Sequence, residues 1–407
     1  MIGGKLGLAV RDAYDVIIIG NGIAGFSAAQ AVREQSPEKS VLLIGEEDRL
    51  PYKRTRLSKS IAVGFEREAF QLQPQEWYAA RGIDLLIGCR VTSFATDRHT
   101  VTLDDGRVLS WSRLVLATGA SPLRLDVGRV ALPQVLVLRS AAEAERLIAA
   151  LREAGTACVI GMGVLGVEVA AEMLALGKQV TLVGDCAQLM PRHLNRPTAA
   201  LLRAEFEARG AKLIFEDRVV DVARGARGLG VTLRRHNTLA ADLCVCCLGV
   251  APNLELAQAA GLRVKRGVLV NERLQTSQPD VYAAGDVAEH PDGRVTGLWH
   301  AAEHQGRVAG INAAGGEAVE GGRPFRLKCE VFGRYFFSIN KPPDDELSQF
   351  EVEESATEGA YRCFYFRDGL LHGVVMADEP DRAKQYEQAV RERWEREAVR
   401  AAFLSGV

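Results

Sequence analysis

Two stretches of the chain carry glycines at a spacing that suits a pyrophosphate. The first, DVIIIGNGIAG, sets Gly20, Gly22, Ala24 and Gly25 after an apolar run. The second, CVIGMGVLG, sets Gly161, Gly163, Leu165 and Gly166 in the same way. In such a G-x-G-x-x-G turn the first glycine makes the tight bend. The second lets backbone approach the phosphates, and the third lets helix and strand pack closely. The phosphates then meet unpaired N–H groups at the positive end of a helix. An acid follows each unit, Glu46 after the first and Asp185 after the second. A carboxylate there accepts from ribose hydroxyls and repels a 2′-phosphate, so the second unit is expected to take NADH over NADPH. Gly184 stands where many such units place the acid, shifting it by one residue.

The elements that must position these turns read clearly. Asp15–Ile19 and Ser40–Ile44 are buried strands flanking an Ala-rich helix, and the pattern recurs over 158–185. Two dinucleotide units in one chain imply two dinucleotides bound face to face. Residues 84–117 alternate short apolar runs with turns such as Asp104-Asp105-Gly106 and predict a small sheet or hairpin insertion. That stretch closes on RLVLATGA, a buried strand ending at Ala117, Thr118 and Gly119; LCVCCLGVAPN ends similarly at Gly249. Backbone at both ends could approach a cofactor, and each alone could also be a simple turn.

Composition bounds the function. The chain has 407 residues, 47% hydrophobic and 25% charged, with a formal net charge of −2. That size allows two or three domains, and the charge balance points to neither nucleic acid nor an anionic membrane. No apolar run nears the ~20 residues that span a bilayer. Met1 to Val10 are too weakly patterned for a secretory signal, so a cytoplasmic location is expected. The eight cysteines show no metal-ligand spacing. Cys244, Cys246 and Cys247 read as small hydrophobes of a buried strand.

These two units, the ATG strand between them and TSQPDVYAAGDVAEH after them resemble the FAD-dependent pyridine nucleotide-disulfide oxidoreductase superfamily. Within it the chain is most similar to ferredoxin and rubredoxin reductases and to the flavin domain of nitrite reductases. The resemblance implies an α/β fold with two Rossmann-like domains on parallel central sheets and a small C-terminal α/β domain. It implies a discontinuous FAD domain over 1–120 and 250–322, an NAD(H) domain over 121–249, and a third domain over 323–407. Gly285 and Asp286 would meet the flavin's ribityl chain. Arg54, in LPYKRTRLSK, belongs to the motif that marks the electron-carrier reductases. Disulfide reductases carry two cysteines before the corresponding lysine; Leu50 and Thr55 stand there, and residues 1–88 hold no cysteine. Thr55 also replaces the proline usual in the reductases.

By resemblance, Lys59 and Glu168 form the catalytic pair, a cation beside the flavin and the acid that holds it. From the residues alone, a solvated loop lysine and a first-turn helix acid is the commoner reading. The motif W-x-x-A-x-x-Q-G returns as Trp299, Ala302, Gln305 and Gly306. Trp299 would lie over the flavin, and the helix starting near Ala302 would face its pyrimidine edge. His300 and His304 are expected as exposed helix residues. Residues 380–404 predict one amphipathic helix. Its Arg391, Arg393, Arg396 and Arg400 could greet an acidic electron carrier, although interleaved glutamates favour a self-paired face.

The implied activity is hydride transfer from NADH to FAD, then electron delivery to a ferredoxin or rubredoxin, by a monomer or homodimer. Alternatives are an NADH oxidase or diaphorase using oxygen or quinone, a flavin- and NADH-responsive binding protein, and a flavoprotein subunit of a larger complex. No metal is expected.

Overall fold

Continuous apolar runs that must be covered on both faces form parallel strands between helices. In the computed structural model, which describes residues 10–64, 70–125, 132–225, 228–357 and 359–404, the chain divides into two compact units. The first comprises Met1–Thr55, Glu66–Ser121 and Val250–Gly322; the second comprises Arg56–Phe65, Pro122–Gly249 and Arg323–Val407.

The first unit is built on β1 (Ala13–Ile19), α1 (Ile23–Gln35) and β2 (Val41–Gly45). β1 runs parallel to β2, with Ile17 opposite Leu42, and parallel to the strand Val108–Leu116, with Ile17 opposite Leu114. Ile83–Ile87 extends this sheet beyond β2, and Val281–Ala283 lies parallel to the end of Val108–Leu116. The insertion expected over 84–117 is part of this seven-stranded sheet: Val91–Ala95 and Thr100–Leu103 add antiparallel to Val108–Leu116. Val16, Ile17, Ile18, Leu42, Leu43, Leu114 and Val115 are fully buried. α1 packs on the helix Trp299–Ala313 through small residues. A Cβ on Gly306 would sit 2.1 Å from the Ala24 carbonyl oxygen, and one on Gly310 would sit 2.4 Å from that of Ala28.

The second unit repeats the arrangement with β3 (Thr156–Ile160), α2 (Val164–Ala175) and β4 (Gln179–Val183). The sheet order is Lys212–Ile214, β4, β3, Leu243–Cys246 and Val135–Val137, all parallel. Leu243–Cys246 is wholly buried, so its cysteines do serve as small hydrophobes. A meander of Val219–Arg224, Leu229–Leu233 and Leu239–Ala241 follows Lys212–Ile214.

Residues 323–407 fall in this same compact unit. They form a five-stranded antiparallel sheet whose hairpin turns at Asp368-Gly369, both with positive φ, as a tight hairpin turn requires. The single helix expected over 380–404 is broken. Ala383–Arg391 is α-helical, Arg393 turns through φ 51°, and only Arg396–Val399 resumes α-helix. Trp394 causes the break: its N–H donates to Ala389 and its carbonyl accepts from Leu371 of the hairpin. Among the described residues, no helix is long and apolar enough to cross a membrane.

Candidate active site

Both phosphate cradles follow from backbone crowding. Gly20 and Gly161 adopt φ 110° and 114°, which side-chain-bearing residues rarely reach. Their N–H groups donate to Ile44 and Val183, at 2.8 Å each. A Cβ on Gly20 would lie 2.1 Å from the Ala117 carbonyl oxygen, and one on Gly161 would lie 2.3 Å from that of Cys247. On Gly25 and Gly166 it would strike the carbonyl oxygens of Gly20 and Gly161, at 1.8 and 1.9 Å.

Gly22 and Gly163 are different. A Cβ on either meets nothing within 4 Å. Each is the N-cap of its helix, has no side-chain cap, and precedes a first turn without an acid. The first-turn N–H groups, which a helix cannot satisfy internally, therefore face open space. That combination fits a pyrophosphate.

In the first unit, Ala117 donates to Ile19, and Thr118 and Gly119 are tied to Asn253 at 2.8 and 3.0 Å. Ala24 is buried among Gly306 and Gly285. Gly285 has φ 81° and donates to Gln305 Oε1 at 2.8 Å. Gln305 is itself fully buried, and its Nε2 donates to His290 Nε2 at 2.8 Å. Glu46 is exposed beside Arg90, at 3.7 Å. Glu47 is the acid with a built environment: it accepts from Arg54 at 2.5 Å and from Tyr52 at 2.8 Å. Burial works against the Arg54 charge, but Tyr52, Glu47 and Asp286 outweigh it and raise its pKa. The helix begins at Trp299, one turn earlier than expected, with Trp299 half-buried and Ala302 buried. His300 is exposed beside Glu303, whereas His304 is half-buried and donates to the Glu320 carbonyl at 3.1 Å.

In the second unit, Leu165 is half-buried in the first turn of α2. Gly249 has φ 97° and accepts from Leu123 at 2.9 Å. Asp185 is exposed, and a residue that the motif does not reveal stands on it. Arg218 Nη2 donates to Asp185 Oδ2 at 3.1 Å.

Lys59 and Glu168 are brought together within the second unit, to which Arg56–Phe65 belongs. Lys59 Nζ lies 3.6 Å from Glu168 Oε1. Ser58 Oγ donates to Glu168 Oε2 at 2.6 Å, and Ala62 N–H donates to Glu172 at 3.0 Å. The Lys59 side chain is 44% exposed and that of Glu168 only 11%. Burial raises the Glu168 pKa, against the lowering effects of Ser58 and Lys59. Cys329, buried, lies 3.9 Å from Glu168 Oε1. Burial and then the Glu168 charge push its thiol pKa up, so it remains protonated. All eight cysteines are free, and no thiol occupies positions 50 or 55.

Arg396 and Arg400, two of the arginines considered for partner docking, turn instead onto Glu353. Arg391 pairs with Glu387 at 3.0 Å.

Comparison with known proteins agrees with this construction. Residues 14–306 match the family described as pyridine nucleotide-disulphide oxidoreductase. The chain is 30% identical, over 93% of its length, to the assimilatory nitrate reductase electron transfer subunit of Bacillus subtilis (strain 168), and spans 49% of that protein. It is 32% identical to the ferredoxin reductase component of chlorobenzene dioxygenase from Cupriavidus sp. (strain PS12), covering 97% of this chain and 95% of that one. A crystal structure of a ferredoxin reductase from Rhodopseudomonas palustris superimposes with a TM-score of 0.84 at 28% identity, covering 91% of this chain and 92% of that one.

Proposed function

The chain belongs to the pyridine nucleotide-disulphide oxidoreductase family as a FAD-dependent NAD(P)H oxidoreductase, and on that premise we propose that it carries electrons from NADH to a small iron–sulfur protein, a ferredoxin or rubredoxin. The first unit is assigned FAD and the second the nicotinamide dinucleotide. FAD, when bound, supplies the chemistry that accepts a hydride and releases electrons singly.

The remaining roles belong to this chain's residues. Gly22 and Gly163 keep two helix N-termini open for pyrophosphates. Glu47, Arg54 and Tyr52 brace the loop that leaves β2. Lys59 supplies positive charge where negative charge develops during reduction, and such preorganised charge speeds a reaction because it need not reorganise. Glu168 holds that lysine by a charge-assisted contact, and Ser58 fixes Glu168 by a hydrogen bond.

The observation that carries this reading is the Lys59–Glu168–Ser58 cluster in a chain with no cysteine at positions 50 or 55. With no sulfur relay to receive them, electrons leave for an outside acceptor. A second reading, electron transfer within a larger reductase, draws on the nitrate reductase subunit of which the chain spans 49%. The test is NADH-driven reduction of a purified ferredoxin or rubredoxin by the holoprotein. Turnover that falls sharply in Lys59→Met while flavin content is kept supports the proposal. Failure to reduce either carrier, with NADH still bleaching the flavin, moves the reading to the larger reductase. An unchanged Lys59→Met rate removes Lys59 from the mechanism.

A further inference from the structure

The corner of the second unit where an adenosine ribose would lie holds more than the acid that ends β4. Asp185 and Arg218 face each other at 3.1 Å, with side chains 68% and 66% exposed. The arginine comes from the connection between Lys212–Ile214, the neighbour of β4, and Val219–Arg224. Its position is built, not accidental. Asp217 N–H donates to the Gly184 carbonyl at 3.1 Å, and Glu216 N–H donates to that of Cys186, also at 3.1 Å. Glu216 turns through φ 52° at this corner. The fully buried Asp217 carboxylate accepts from the N–H groups of Arg218 and Arg235, at 2.7 and 3.0 Å, and from His236 Nδ1 at 2.5 Å. The Arg218 carbonyl accepts from Arg234 N–H at 2.9 Å, so the two arginines stand opposite each other on paired backbone. The backbone under Arg218 is thus fixed to the turn that carries Asp185.

A lone carboxylate here would reject a 2′-phosphate by charge. A carboxylate already paired with a guanidinium rejects it far less, because the local charge is near zero. The guanidinium offers forked donors that match a phosphate, and Asp185 Oδ1 remains available to a ribose hydroxyl. We infer that Arg218 is the specificity-determining residue of this nucleotide site: it offsets Asp185 and provides the contact for a 2′-phosphate, so NADH and NADPH are both used, with shallow discrimination. This inference rests on the reading of the second unit as the nicotinamide dinucleotide site.

Binding of 5′-AMP and 2′,5′-ADP to the holoprotein, followed by calorimetry, tests it without relying on turnover. Wild type is expected to bind the two probes within about tenfold of each other. Arg218→Ala weakens 2′,5′-ADP by about tenfold or more, the worth of one charge-assisted hydrogen bond, and changes 5′-AMP by much less. Asp185→Asn frees the arginine and shifts the preference toward 2′,5′-ADP. The ratio of kcat/KM for NADH to that for NADPH moves in the same directions. Equal loss of both probes in Arg218→Ala, or no loss of 2′,5′-ADP, overturns the role of Arg218. If neither probe binds wild type, the assignment of the second unit as a nucleotide site falls, and this inference with it; reduction of the flavin by NADH with probe binding unchanged in Arg218→Ala would overturn the inference alone.

Discussion

The two βαβ units crowd their glycines alike and differ around the ends of their second strands. In both, the first and third glycines are crowded to within 2.3 Å of carbonyl oxygens, and the second has nothing within 4 Å. Beyond β2 the chain is tied down: Asn21 Nδ2 donates to the Arg49 carbonyl at 2.9 Å, and Glu47, Tyr52 and Arg54 form a closed hydrogen-bonded set. Both corners carry an exposed acid beside an exposed arginine, Glu46 with Arg90 and Asp185 with Arg218, but beyond β4 the position matching Asn21 is Met162, a buried apolar side chain. The first cradle thus sits beside a loop braced by side chains, Glu47 with Tyr52 and Arg54, and the second beside the exposed Asp185–Arg218 pair. Bracing suits a cofactor that stays; an exposed pair suits a nucleotide that comes and goes.

Filling the crowded positions should have the largest effect. Gly25→Ala and Gly166→Ala each force a methyl into a carbonyl oxygen, at 1.8 and 1.9 Å. Overpacking of that kind costs about 1–3 kcal/mol or more. Thermal melts should fall in both variants, but the flavin-to-protein ratio should fall only in Gly25→Ala. Equal flavin loss would mean that the two cradles do not have separate tenants.

Filling the open positions should have a smaller one. Gly22 and Gly163 have φ −71° and −75°, which alanine adopts without strain. Stability should fall by only about 1 kcal/mol, the cost of placing alanine at a helix N-cap. Binding should suffer, because the new methyl stands on the phosphate face. Gly22→Ala is expected to lose flavin on dialysis, and Gly163→Ala to keep it while its NADH half-saturation rises.

Arg54→Ala tests the braced corner itself. Removing a charge-assisted partner of Glu47 should cost about 1.5–3 kcal/mol of interaction, read as faster flavin release. No change in release would mean that the Glu47–Tyr52–Arg54 set plays no part in retention.

The smallest effect concerns pH. Desolvation opposes ionisation of Asp217, but His236 and then the Arg218 and Arg235 N–H groups outweigh it and bring its pKa down to about 2. Because the folded value is depressed, the stability it contributes is present above the ordinary carboxylate pKa of about 4. It is lost as pH falls through about 2. Acid titration of Asp217→Asn should lack that component, and an unaltered acid profile would contradict the frame drawn under Arg218.

The cradles are legible in the sequence because each is local: glycine spacing, a flanking apolar run and an acid lie within one stretch. The pairing of Lys59 with Glu168 is legible only through resemblance, since no periodicity links a loop lysine to a helix acid so far along the chain. Ser58, Cys329 and Arg218 are missed for the same reason. Each reaches its neighbour through tertiary packing, and serine, cysteine and arginine at such places carry no local mark. The broken C-terminal helix escapes because Trp394 fits a helical pattern, while its backbone bonds go to a hairpin that the pattern cannot see. In the same region Arg396 and Arg400 look available by spacing and are held by Glu353 in the fold.

Electrons are expected to pass from nicotinamide to flavin with no sulfur relay, in a protein whose eight cysteines are free. Anaerobic titration of the oxidised holoprotein with NADH, with flavin absorbance and reactive thiols followed together, tests it most directly. Full bleaching is expected at about one NADH per flavin, because the flavin alone takes up two electrons, with no gain in thiols. Uptake of a second equivalent with new thiols appearing would contradict it.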